Sequence, residues 1–162
     1  MKKGMTFIEM LLYAALLTII STVVLDLFLV NANAWGNARA LRNANDGGKL
    51  IMERLIQEIK LARGVNSIDS NSIEFDTSLS PTSTNPSTLL FFLDGDVLKV
   101  SRDESTGVSL NGDSFRVTNI DFQEVSSVGG NLVRIELTVE SSRGKFLKTR
   151  SFTSAALLRG GF

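Results

Sequence analysis

Residues 10–30 form an apolar run of 21 residues in which Asp26 is the sole charged side chain. As a helix, a run of that length covers about 30 Å at ~1.5 Å per residue, which matches a bilayer's hydrocarbon core. The core helix of a soluble domain carries a polar face, whereas this run is apolar all round. It predicts a membrane segment close to the N-terminus. Lys2 and Lys3 precede it, with no acidic residue before Glu9. That excess of positive charge predicts a cytoplasmic N-terminus and a chain that continues on the far side of the membrane.

Two ordinary explanations compete. A secretory signal peptide has an apolar region of ~7–15 residues ending in a small-residue cleavage site. Here the run is longer, and Asn31-Ala32-Asn33-Ala34 fits such a site poorly. A plain signal anchor fits the length better. Neither explains Glu9, a carboxylate among the first apolar residues. At the centre of a span a carboxylate costs ~2.5 kcal/mol or more, and such residues are functional by default.

Composition narrows the classes further. The 162 residues include 17 basic and 17 acidic side chains, for a formal net charge of zero. No Lys/Arg-rich stripe stands out, so no nucleic-acid partner is expected. Histidine and cysteine are both absent. Zinc, haem, iron–sulfur and copper sites lose their usual ligands, histidine-based catalytic arrangements are excluded, and no disulfide can form. The length suits one domain with an appendage.

Residues 2–9 read Lys-Lys-Gly-Met-Thr-Phe-Ile-Glu and lead directly into the apolar run. This resembles the class III leader of type IV prepilins and type II secretion pseudopilins. In that family a short basic leader ends in Gly, followed by a Phe-Thr-Leu-Ile-Glu-like sequence and about twenty apolar residues. The resemblance implies that a prepilin peptidase cuts after Gly4 on the cytoplasmic side and methylates the new amine of Met5. Lys2 and Lys3 match the leader charge, and Thr6, Phe7 and Ile8 match the Thr-Leu-Ile stretch. Glu9 matches the glutamate at the fifth mature position. Met5 stands where Phe is usual, and the proline common in major pilins near the end of the span is missing, since the chain's prolines are Pro81 and Pro86.

The family's subunits bundle their N-terminal helices into a filament core, which gives Glu9 a physical role. A carboxylate buried without a partner is destabilising, whereas one paired with a neighbour's amino terminus is compensated. An unpaired Glu9 would then penalise wrong register, as a single buried polar group does in a coiled coil.

Beyond residue 30 the pattern stays helical but turns polar. Leu41, Ala44, Ile51, Leu55, Ile59 and Ala62 recur at three-, four- or seven-residue spacings as one apolar stripe. Arg39, Arg42, Lys49, Glu53, Arg54, Gln57, Glu58 and Lys60 fill the other face. Asp46-Gly47-Gly48 is expected to bend or briefly break the helix, since each glycine costs about 1 kcal/mol relative to alanine. Gly64, after Arg63, is the expected stop. A nearly continuous helix from Thr6 to Arg63 would be roughly 85 Å long.

The remainder reads as strands. Residues 72–76 alternate, 77–87 form a polar loop, and 88–93 make a dense apolar run. Asp94-Gly95-Asp96 is a hairpin turn into residues 97–100. Phe115 and Val117, then Ile120 and Phe122, alternate with a one-residue phase shift that predicts a bulge. Val133, Ile135, Leu137 and Val139 face one way, joined to the preceding strand by a hairpin at residues 126–131. A final strand is expected over residues 146–152 after Arg143-Gly144. The expected fold is α+β: a long N-terminal helix, membrane-spanning in its first half, packed against one antiparallel sheet of four to six strands, type IV pilin-like. The parts are a leader (1–4), an assembly helix (5–30), the amphipathic second half of the helix (31–64) and a β-rich head (65–162). Residues 52–63 and the Ala-Leu-Leu-Arg ending at Arg159 resemble, loosely, the J-type minor pseudopilin and W-type minor pilin groups.

Asp94, Asp96, Asp103, Glu104 and Asp113 are the weak candidates for a calcium site, because hard cations take oxygen ligands. Their spacing does not fit an EF-hand, and turn chemistry accounts for them more simply. No separation between carboxylates is fixed, so a glycosidase pair finds no support. Trp35 suits an aromatic belt just past the span, and Tyr13 suits packing in a filament core. Asp26 falls near the outer headgroups.

No enzymatic activity and no cofactor are expected. The resemblance implies a structural subunit, a minor one, of a type IV pilus or type II secretion-like pseudopilus in the bacterial cytoplasmic membrane. Its implied partners are the prepilin peptidase/methyltransferase, other pilin or pseudopilin subunits, the assembly platform and the lipid bilayer. The alternative is a non-assembling, signal-anchored extracytoplasmic binding domain.

Overall fold

The computed structural model describes residues 6–77, 87–103, 105–127, 130–141 and 146–158. Its described residues form one helix, α1 (Phe7–Leu61), and eight strands. The carbonyl of Thr6 accepts the N–H groups of Glu9 and Met10 at 3.0 and 3.2 Å, which closes the first turn of α1. Glu9 in that turn and Lys60 in the last complement the helix dipole. The chain divides into two units between Ala38 and Arg39.

In the second unit, α1 buries Ala40, Ala44, Gly47, Gly48, Ile51, Met52, Leu55 and Ile59, the spacing of one helix face. This corrects the expected stripe in two places. Leu41 is 37% exposed and the buried face begins at Ala40 instead, while Ala62 belongs to a strand. α1 runs through Asp46-Gly47-Gly48 without the break expected there. The glycines are there for space. A Cβ on Gly47 would lie 2.5 Å from the Phe115 ring, and one on Gly48 would lie 2.1 Å from the Phe152 ring. Two aromatic rings thus sit against bare helix backbone.

The strands form two antiparallel sheets rather than the single sheet expected. The first has order β1-β2-β3-β4-β5, built from β1 (Ala62–Asp69), β2 (Ser72–Thr77), β3 (Ser87–Asp94), β4 (Val97–Arg102) and β5 (Val108–Ser109). The second has order β6-β7-β8, from β6 (Phe115–Ser127), β7 (Gly130–Ser141) and β8 (Thr149–Leu157). Alternation in sequence assigns a face to a strand but names no neighbour, so the division into two sheets left no mark. The sheets meet through isolated bonds instead of a ladder: Phe122 N–H to the Ser70 carbonyl at 3.2 Å, and Val117 N–H to that of Asp96 at 3.1 Å.

β1 went unforeseen for a physical reason. Its pairing with β2 slips twice, between Ala62 and Gly64 and between Val65 and Ser67, so the period of two never establishes itself. The helix consequently ends at Leu61, and Gly64 serves a bulge rather than a helix stop. The phase shift expected in β6 is present, with a register slip between Val117 and Asn119 that keeps Val117, Ile120 and Phe122 buried. β8 starts at Thr149, later than expected, because Ser141 holds the segment before it. The Ser141 N–H reaches the Lys148 carbonyl at 3.0 Å, and its hydroxyl donates to that of Phe146 at 3.0 Å. The polar loop over residues 77–87 and the hairpin tip at 128–129 fall largely outside the described residues.

The core gathers Leu55 and Ile59 of α1 with Phe75, Phe91, Ile135 and Leu137 of the sheets, all fully buried. The Phe75 and Phe91 rings stack with centroids 5.8 Å apart. At the β3–β4 turn, Gly95 takes φ 62°, a conformation that glycine enters without steric cost. Asn111 secures this turn, donating from Nδ2 to the Asp96 carbonyl at 2.8 Å and accepting from Leu98 N–H at 2.8 Å. Asn111→Ala removes both bonds and is expected to cost about 1–2 kcal/mol. A shift of the urea midpoint at constant slope would register it, and an unmoved midpoint would mean that water replaces both bonds.

Candidate functional site

Lys2, Lys3, Gly4 and Met5 lie outside the described residues. Glu9 is the third residue of α1, solvent-exposed, with Tyr13 one turn on along the same helix face. Every residue from Thr6 to Trp35 is exposed in this single chain. By length and composition, α1 has an apolar N-terminal stretch compatible with a membrane span. Two of its threonines do not oppose that. Thr18 Oγ1 donates to the Ala14 carbonyl at 2.7 Å, and Thr22 Oγ1 donates to that of Ile19 at 2.8 Å. Both hydroxyls are therefore satisfied within the helix, as an apolar medium demands. Asp26 follows Thr22 by four residues and shares its face. Trp35, 72% exposed, borders a shallow depression of about 320 Å³ with Asn31, Ala34 and Ala38.

The acidic residues of the head are dispersed among different partners. Asp94 pairs with Lys99 at 2.5 Å. Asp96 faces Arg116 at 3.4 Å, and Asp103 Oδ1 accepts the Thr88 N–H at 2.8 Å. Asp113 is exposed and engaged in the fold, and Glu104 lies outside the described residues. Among the described residues, no three acidic side chains gather as ligands of one ion. Arg116 also reaches Glu140 Oε2 through Nε at 2.8 Å and Nη2 at 2.6 Å. The hydrogen bond and the charge of Glu140 raise the Arg116 pKa above its ordinary value.

Sequence reasoning missed one polar site. Glu58, assigned to the solvated face of α1, has its Oε2 buried without a hydrogen-bond partner among the described residues. It lines a cleft of about 350 Å³ with Arg54, Arg102 and residues of β5. The available signal was its position directly before Ile59 and three after Leu55, at the border of the apolar stripe. Compared with protein-family models, curated proteins and solved structures, the chain gives no significant match.

Proposed function

We propose that this chain is a structural subunit, a minor one, of a type IV pilus or type II secretion-like pseudopilus. In this reading the prepilin peptidase cuts between Gly4 and Met5 and methylates the Met5 amine. Lys2 and Lys3 hold the leader on the cytoplasmic side, and the head lies outside the inner membrane. The subunit then leaves the bilayer through the assembly platform and joins other pilin or pseudopilin subunits through its N-terminal helix.

The observation that carries the reading is a coincidence at one place in the chain. The Gly4-Met5-Thr6-Phe7-Ile8-Glu9 sequence leads straight into a helix whose first half is apolar and wholly exposed. Its second half packs against antiparallel strands. An exposed apolar surface of this extent needs a covering, first lipid and then other helices. The missing proline and the lack of any cysteine favour a minor over a major subunit.

Shearing surface filaments from cells that make the tagged protein, beside a strain lacking the prepilin peptidase, tests this reading. The sheared fraction is expected to contain the protein only where the peptidase is present. For a pseudopilus retained in the envelope, the same dependence is expected after cross-linking to neighbouring subunits. Protein confined to the membrane fraction of both strains, without cross-links, would instead identify a signal-anchored domain.

A further inference from the structure

Among the described residues, three of the four sheet edges are guarded. β5 is two residues long, and the pairing of β1 slips twice. β6 turns its Val117 and Phe122 N–H groups to carbonyls at Asp96 and Ser70, beside the first sheet. Short edges, bulges and charges are the means by which proteins keep a sheet from accepting a further strand. β8 has none of them along its middle. Its nine residues pair with β7 without a slip, and residues 151–157 contain no charge, proline or glycine.

Two hydrogen bonds that flank the β7–β8 ladder fix the direction of the free backbone groups. Leu158 N–H reaches the Asn131 carbonyl and Ser141 N–H reaches that of Lys148, each at 3.0 Å. Bonded and non-bonded pairs alternate between antiparallel strands. The register between those two bonds is unbroken, so Arg150, Phe152, Ser154 and Ala156 exchange bonds with β7. Thr149, Ser151, Thr153, Ala155 and Leu157 therefore turn N–H and C=O away from it, and no described backbone group meets them. All five are exposed. They end rows that cross the outer face of the sheet. Val125, Leu132 and Leu157 make an apolar row, in which Val125 is 44% and Leu157 49% exposed. Thr138 and Ser151 make a hydroxyl row, joined Oγ1 to Oγ at 3.1 Å.

We propose that the free edge of β8 receives an extended, uncharged strand of a partner protein. The strand adds to the second sheet beside β8, with an apolar side chain opposite Leu157 and a hydroxyl side chain opposite Ser151. Backbone pairing supplies affinity in this mode, and alternate side chains supply selectivity. The two rows state the selectivity, because apolar and hydroxyl pairs directly across a sheet are the favourable ones. A charged strand would meet no counter-charge between Ser151 and Leu157. A second copy is a poorer occupant: two β8 strands laid antiparallel at full overlap set Leu157 opposite Thr149 rather than an apolar residue. A neutral β segment left bare is an aggregation hazard, which gives such a partner a protective role as well. The inference concerns the second sheet and does not rest on the reading of the N-terminus.

The test begins with single-residue hydrogen exchange on the full-length protein in lipid nanodiscs. The amides of Phe152, Ser154 and Ala156 are expected to be protected and those of Ser151, Thr153 and Ala155 to exchange freely. A random nonapeptide display library is then panned against the same preparation. Enriched synthetic peptides are expected to be uncharged, to carry an apolar and a hydroxyl residue at the spacing of Leu157 and Ser151, and to protect the second set of amides. Thr153→Pro removes an outward donor and no bond to β7, a place where an edge strand tolerates proline. It is expected to weaken the peptides about tenfold. Leu157→Ser, at a half-exposed position, is expected to weaken them severalfold at an unchanged melting temperature, and it carries the test if Thr153→Pro fails to fold. Outward amides already protected in the free protein, no enrichment, protection at another edge, or peptides indifferent to Leu157→Ser would each overturn the proposal.

Discussion

Glu9→Leu is expected to leave cleavage after Gly4 intact and to remove the protein almost entirely from assembled filaments. The substitution keeps the helix, since leucine is a strong helix former, and makes the first turn more apolar. Membrane insertion therefore does not suffer. In the proposed filament, what is lost is the partner for the amine of Met5 on a neighbouring subunit. A charge buried without its counter-ion is strongly penalised, and incorporation is expected to fall by roughly a hundredfold. Glu9→Gln should fall between the two, because the amide retains an acceptor but no charge. Immunoblots of sheared and cell-bound fractions measure the ratio. Equal incorporation of wild type and Glu9→Leu would mean that Glu9 only reaches for the headgroups.

Gly48→Leu is the second large effect. An added Cβ alone would stand 2.1 Å from the Phe152 ring, and a leucine side chain extends further into the same space. Overpacking of this kind costs typically ~1–3 kcal/mol, against a gain of about 1 kcal/mol from helix propensity. Since the clash begins at Cβ, the overpacking lies at the top of that range, and a net loss of up to about 2 kcal/mol is expected, read as a lower urea midpoint. Gly64→Ala is the matched control, since nothing lies within 4 Å of the Cβ it would introduce, and it should leave the midpoint nearly unchanged. A Gly48→Leu protein as stable as its parent would return the glycine pair to the role of a flexible joint.

The contrast at these two glycines shows what sequence carries and what it does not. A glycine announces the absence of a side chain, whereas the ring that fills the vacated space comes from β8, about a hundred residues later in the chain. The alternation of Val133, Ile135, Leu137 and Val139 was legible because one face of β7 is buried from Val133 to Ser141. β1 was not, since two bulges erase its period. The apolar half of α1 was legible from its length and composition, which are compatible with a membrane span. Glu58 was not, because the burial of one carboxylate oxygen depends on a sheet edge that helical periodicity does not encode.

Intact-mass analysis of the protein co-expressed with a prepilin peptidase tests the central claim most directly, with Gly4→Ala beside it as a control. The wild type is expected to lose residues 1–4 and gain one methyl group on Met5, while Gly4→Ala keeps its full mass. An uncut wild-type chain, under conditions where the same peptidase cleaves a known prepilin, would contradict the assignment to the filament pathway.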